Sequence, residues 1–105
     1  IGVDVEKIKD KVHSIAPKFL NPDETGFLGK SPSTRQLIRA WTAKEAVYKA
    51  LKKPGISFSD NIILDEFNDK AQSAHAKFIS EDEETTFKLY FHDLDDYCLT
   101  IAQEY

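Results

Sequence analysis

The segment from about Ser33 to Lys53 constrains the fold most. Leu37, Ala40, Trp41, Val47, Tyr48 and Leu51 recur at helical spacing along it, and Pro54-Gly55 stops it. This predicts one helix much longer than any other element in a chain of 105 residues. A helix with an apolar stripe must bury that stripe against something. The rest of the chain offers mainly strands. Four candidates follow the helix: Asn61–Phe67, Ala74–Ile79, Thr85–His92 and Tyr97–Gln103, with polar turns between them. The last three or four read as an antiparallel meander. The expected class is therefore α+β, a long helix packed on a mostly antiparallel sheet. A single domain over residues 1–105 suits this length.

The part before the helix adds a strand and two short helices. Residues 1–6 alternate, with Ile1, Val3 and Val5 on one face and Gly2, Asp4 and Glu6 on the other. This predicts a half-buried strand whose polar face carries two carboxylates. A short helix is expected from Lys7 to about Ala16, closed by Pro17. A second is expected after Asn21, as cap, with Pro22 at its first position and an end near Gly29. The chain opens inside a strand-like pattern and contains no Met. We read this as an N-terminal truncation.

Composition excludes several classes. With 41% hydrophobic and 30% charged residues the chain reads as globular rather than disordered. A net charge of −4 argues against a nucleic-acid binder. The lone Cys98 allows no disulfide within the chain and points to a reducing, cytoplasmic setting. No apolar run approaches the ~20 residues of a membrane span.

Two groups of residues have the chemistry for a site. Asp4 and Glu6, two apart on a strand, share a face roughly 6–7 Å apart. Such a pair repels itself unless a cation intervenes, and Mg²⁺ favours carboxylates plus phosphate oxygens. The alternative is a solvated face of an edge strand. Glu45 and Lys49, one turn apart in the long helix, share a face with Ile38 and Trp41. They are either a surface ion pair or, placed at the edge of the apolar stripe, part of a cleft.

The combination resembles a known family. Ile1-Gly2-Val3-Asp4-Val5-Glu6 and Trp41-Thr42-Ala43-Lys44-Glu45-Ala46-Val47-Tyr48-Lys49-Ala50 look like the two signature motifs of the 4′-phosphopantetheinyl transferases. These are a Gly-Ile/Val-Asp-x-Glu strand and a Trp-x-x-Lys-Glu-Ala/Ser-x-x-Lys-Ala helix, in this order and at this spacing. The Phe19–Glu24 segment and Gly55-Ile56-Ser57-Phe58 also resemble the family. The resemblance covers most of residues 1–58 and is nearest to the C-terminal half of the larger, surfactin-synthetase-activating type, which has two pseudo-symmetric halves. Small members of similar length are trimers.

The resemblance implies a Mg²⁺-dependent enzyme that moves the phosphopantetheine arm of coenzyme A to a serine of an acyl or peptidyl carrier protein, as in fatty acid biosynthesis. It implies Asp4, Glu6 and Glu45 as metal ligands, and Lys49 as a catalytic contact to the coenzyme A phosphates. Lys44 would be a second cofactor-binding lysine and Glu24 the catalytic base. An isolated half that binds metal or carrier protein without turnover is the alternative, with a missing N-terminal half or self-association as its complement.

Other features weigh less. Lys7, Lys9 and Lys11 form one basic edge and Lys30, Arg35 and Arg39 another; each is either a solvated charged face or a patch that steers an acidic carrier protein. His13, His75 and His92 lack metal-ligand spacing, and Cys98 reads as a buried packing residue.

Overall fold

A computed structural model describes all of residues 1–105. The elements run β1 (Gly2–Lys7), α1 (Val12–Phe19), α2 (Pro22–Leu28), α3 (Thr34–Leu51), β2 (Ile62–Leu64), β3 (Ser73–Ile79), β4 (Glu84–Leu94) and β5 (Tyr97–Glu104). Strands β2 to β5 form an antiparallel meander. β1 joins it antiparallel to β5, giving the five-stranded order β1-β5-β4-β3-β2. The α+β class expected from the sequence is the one observed. No helix is long and apolar enough to cross a membrane.

The helix starts are built as their sequences demand. Asn21 caps α2 through a capping box with Glu24, and Pro22 opens the helix. Ser33 caps α3 through the same device with Gln36. α3 ends at Leu51, with Lys52 in the left-handed region before Pro54-Gly55.

α1 differs from expectation. It runs Val12–Phe19 and contains Pro17 rather than stopping at it. Pro17 forfeits one backbone hydrogen bond. In exchange the last turn carries Ala16, Phe19 and Leu20 into the core. Burying two large apolar side chains contributes about 3 kcal/mol or more and offsets that loss.

β1 is the more consequential correction. The apolar face expected to be its buried side is exposed: Val3 and Val5 are 48% and 51% accessible. The polar face lies inward, with Gly2 and Asp4 buried against α3. Gly2 makes this possible. A Cβ there would overlap the Ala46 carbonyl oxygen and lie 2.6 Å from the Ala50 nitrogen. Without it, strand and helix meet backbone to backbone. Polar partners on α3, described below, then satisfy Asp4 in a place that apolar patterning assigns to Val3 and Val5.

The core lies between α3 and the sheet. Leu37, Ile38, Ala40, Ala43, Ala46 and Val47 of α3 meet Ile62, Leu64, Ala76, Phe78, Phe87, Leu89 and Ala102 of the strands. α1 and α2 cover the rest of α3 through Val12, Phe19 and Leu28. Cys98 is buried in this core as a free thiol, as expected.

Candidate active site on the β1–α3 seam

β1 brings Asp4 and Glu6 to α3 at the turn that holds Trp41, Thr42 and Glu45, with Lys49 one turn further on. Asp4 is 4% exposed. Its Oδ1 accepts a hydrogen bond from Lys49 Nζ at 2.8 Å, and its Oδ2 lies 2.8 Å from the Thr42 hydroxyl. That hydroxyl is also 3.0 Å from the Asp4 carbonyl oxygen. One proton serves only one of the two acceptors at a time. Lys49 reaches the carboxylate from solvent, with its side chain half exposed.

The local charge is unbalanced. Three carboxylates face one nearby ammonium. Glu6 is pushed up to about 7, from an ordinary 4.5, by its burial first and then by Asp4 and Glu45, with Trp41 opposing. Glu45 is raised too, by burial and then by Asp4, while Lys49 pulls it down. Lys49 in turn is raised, chiefly by its hydrogen bond to Asp4 and then by the three acidic charges. Burial is the larger cause for both glutamates; beyond it, the acidic neighbours outnumber the one ammonium of Lys49.

Asp4, Glu6, Glu45 and Lys49, expected as one site, thus share one electrostatic neighbourhood. No three of the His, Cys, Asp and Glu side chains are arranged to hold a metal ion as they stand. Asp4 spends one oxygen on Lys49. The donor set still fits a hard divalent cation, since all three groups are carboxylates. A buried oxygen is also spare beside them: the Thr100 hydroxyl has no partner, and Thr100 pairs with Asp4 across β1 and β5.

Glu24 and Lys44 are not in this neighbourhood. They form a separate ion pair, Nζ to Oε1 at 2.7 Å, with no exposure of either side chain. Both Glu24 oxygens accept backbone amides, Oε1 from Asn21 and Oε2 from Leu64. Neither residue offers a free atom to a ligand in this arrangement, whereas the resemblance assigns them to a base and a cofactor contact. Burial lowers the Lys44 ammonium, and Glu24 opposes that. The adjacent Asp23 is exposed.

One expected basic edge is also dispersed. Arg39 is 5% exposed; its guanidinium donates to Ala71 O and Asp93 and lies over the Phe91 ring. Arg35 pairs with the same Asp93. Lys7, Lys9 and Lys11 stay exposed.

Sequence reasoning missed Thr42 and Thr100. The signal for Thr42 was its place three residues before Glu45, on the same helix face. Thr100 carried none, because only strand pairing brings it to Asp4.

A family model described as the 4′-phosphopantetheinyl transferase superfamily matches residues 1–102. The chain belongs to that superfamily. No curated protein and no solved structure gives a significant match.

Proposed function

We propose that the β1–α3 seam is the catalytic corner of a Mg²⁺-dependent transferase that moves 4′-phosphopantetheine from coenzyme A to a serine of an acyl or peptidyl carrier protein. The observation carrying this reading is the cation-deficient cluster of Asp4, Glu6 and Glu45 beside Lys49, in a chain of this superfamily. The reaction forms a bond from the serine oxygen to the β-phosphorus of coenzyme A. It breaks the bond from that phosphorus to the bridging oxygen, which leaves on 3′,5′-ADP.

Asp4, Glu6 and Glu45 would hold the metal, which when bound neutralises charge on the pyrophosphate oxygens. Lys49, half exposed, would be the group to contact a phosphate oxygen. Glu6, pushed up to about 7 without a cation, would release its proton as a cation binds and so acts as a ligand, while the serine proton would pass to water. The exposed Lys7, at the end of β1, and Lys9 and Lys11 just after it would face an approaching acidic carrier protein. A reducing, cytoplasmic setting suits the single free thiol.

The second reading, a half-domain that binds without turnover, is favoured by one observation. The sheet face away from α3 is uncovered, and Val3, Val5, Leu94 and Tyr97 stand exposed on β1, β4 and β5. A second half or a second copy would cover it.

Titration with Mg²⁺ and coenzyme A, followed by Trp41 fluorescence and by the mass of an apo carrier protein, tests both readings. Binding and transfer that vanish in Asp4→Asn and Glu45→Gln are expected. Transfer surviving those substitutions refutes the metal assignment. Metal binding without coenzyme A binding or transfer favours the half-domain.

A further inference from the structure

The fully buried Glu24–Lys44 pair demands an account, because burying two charges is costly unless every polar atom is satisfied. Here they are. Lys44 Nζ donates to Glu24 Oε1, Phe19 O and Phe58 O, each at 2.7 Å. That uses all the protons an ammonium has. Glu24 accepts from Asn21 N at 3.0 Å and from Leu64 N at 2.7 Å. The cluster therefore ties the end of α1, the start of α2, the middle of α3, the turn before β2, and β2 itself. Lys44 immediately precedes Glu45 and follows Thr42 by two residues. Fixing its ammonium at three points fixes the rotation of α3 about its own axis, and a helix turns by about 100° per residue. A small rotation would move Thr42, Glu45 and Lys49 together, away from Asp4.

We infer that Glu24 and Lys44 are positioning residues: a buried latch that sets the rotation of α3 and so aims Thr42, Glu45 and Lys49 at the carboxylates of β1. This rests on the metal reading above only for its functional consequence. The latch touches no substrate.

An apolar replacement of both partners separates aiming from stability, since such replacements of buried ion pairs are often neutral or stabilising. The test compares Glu24→Gln, Lys44→Met and the double variant Glu24→Leu/Lys44→Met with the unaltered chain. Urea midpoints report stability. Contacts between the Lys49 and Asp4 side chains are read by NMR without metal, and Mg²⁺ affinity by Trp41 fluorescence. Lys44→Met is expected to lower the midpoint sharply and the double variant to recover most of it. In the double variant the Lys49–Asp4 contact should be lost and Mg²⁺ affinity should fall by about tenfold or more, as when the supporting partners of metal ligands are removed. Glu24→Gln, which keeps an oxygen for Leu64, should fold and show a smaller loss of the same kind.

A folded double variant or Glu24→Gln that keeps both the contact and the affinity overturns the latch. Unchanged affinity with transfer alone abolished would also overturn it, returning Glu24 to a direct role. If the unaltered chain shows no response to Mg²⁺, the metal reading fails by itself and the Lys49–Asp4 contact alone decides the latch.

Discussion

Gly2→Ala is the sharpest perturbation of the seam. The new Cβ would lie 2.6 Å from Ala50 N and 3.0 Å from Ala46 C, and overlap the Ala46 carbonyl oxygen. Ordinary contacts of a Cβ begin near 3.4 Å. Clearing Ala50 N alone requires β1 and α3 to part by about 0.8 Å, and clearing the carbonyl requires more. All these atoms are backbone within regular elements, so none can yield by changing rotamer. Overpacking of this kind costs about 1–3 kcal/mol, and the rigidity of both partners puts Gly2→Ala at the upper end. For a domain of this size about 3 kcal/mol lowers Tm by roughly 10 °C or more. The parting also lengthens the Lys49–Asp4 and Thr42–Asp4 hydrogen bonds, now at 2.8 Å, so Mg²⁺ affinity should fall with stability. Urea denaturation followed by Trp41 fluorescence gives the first quantity and Mg²⁺ titration the second. Should Gly2→Ala unfold within about 0.5 kcal/mol of the unaltered chain and bind Mg²⁺ equally well, the backbone-to-backbone seam is wrong.

Three further outcomes are expected. Glu6, raised to about 7 from 4.5 by burial and its acidic neighbours, keeps its proton to higher pH folded than unfolded. Without metal, stability is then full below about pH 4.5 and declines towards pH 7, by at most about 1.4 kcal/mol per pH unit; Glu6→Gln should flatten the slope. Thr42→Val removes the hydroxyl that serves buried Asp4 and should cost about 1–3 kcal/mol by denaturation, whereas an effect below 0.5 kcal/mol (roughly the surface level) would place that hydroxyl outside the network. The Cys98 thiol, buried and pushed up to about 11 by that burial and by Asp93, should react with a disulfide reagent at neutral pH only as fast as the chain opens; rapid labelling of the native protein would contradict its burial.

Local sequence set most of the elements, α1 with its internal Pro17 apart. Capping residues at Asn21 and Ser33, the stop at Pro54-Gly55 and the alternation after Asn61 act over a few bonds, and they carry the same meaning in the folded chain. That Asp4, Glu6, Glu45 and Lys49 lie near one another agrees with their spacing and motif. Which face of β1 lies inward was not legible, because alternation is symmetric between two faces. Apolar patterning favoured Val3 and Val5. Close approach to α3 through Gly2, with Thr42 and Lys49 waiting as partners, decided for Asp4. In the same way the resemblance gave Glu24 and Lys44 as a base and a cofactor contact, whereas the tertiary fold encloses both and pairs them with each other and with backbone groups. Sequence determined what each segment is and which chemistry it carries. Packing alone decided which charges face one another and which face the solvent, since burial and charge pairing depend on neighbours far apart in the chain.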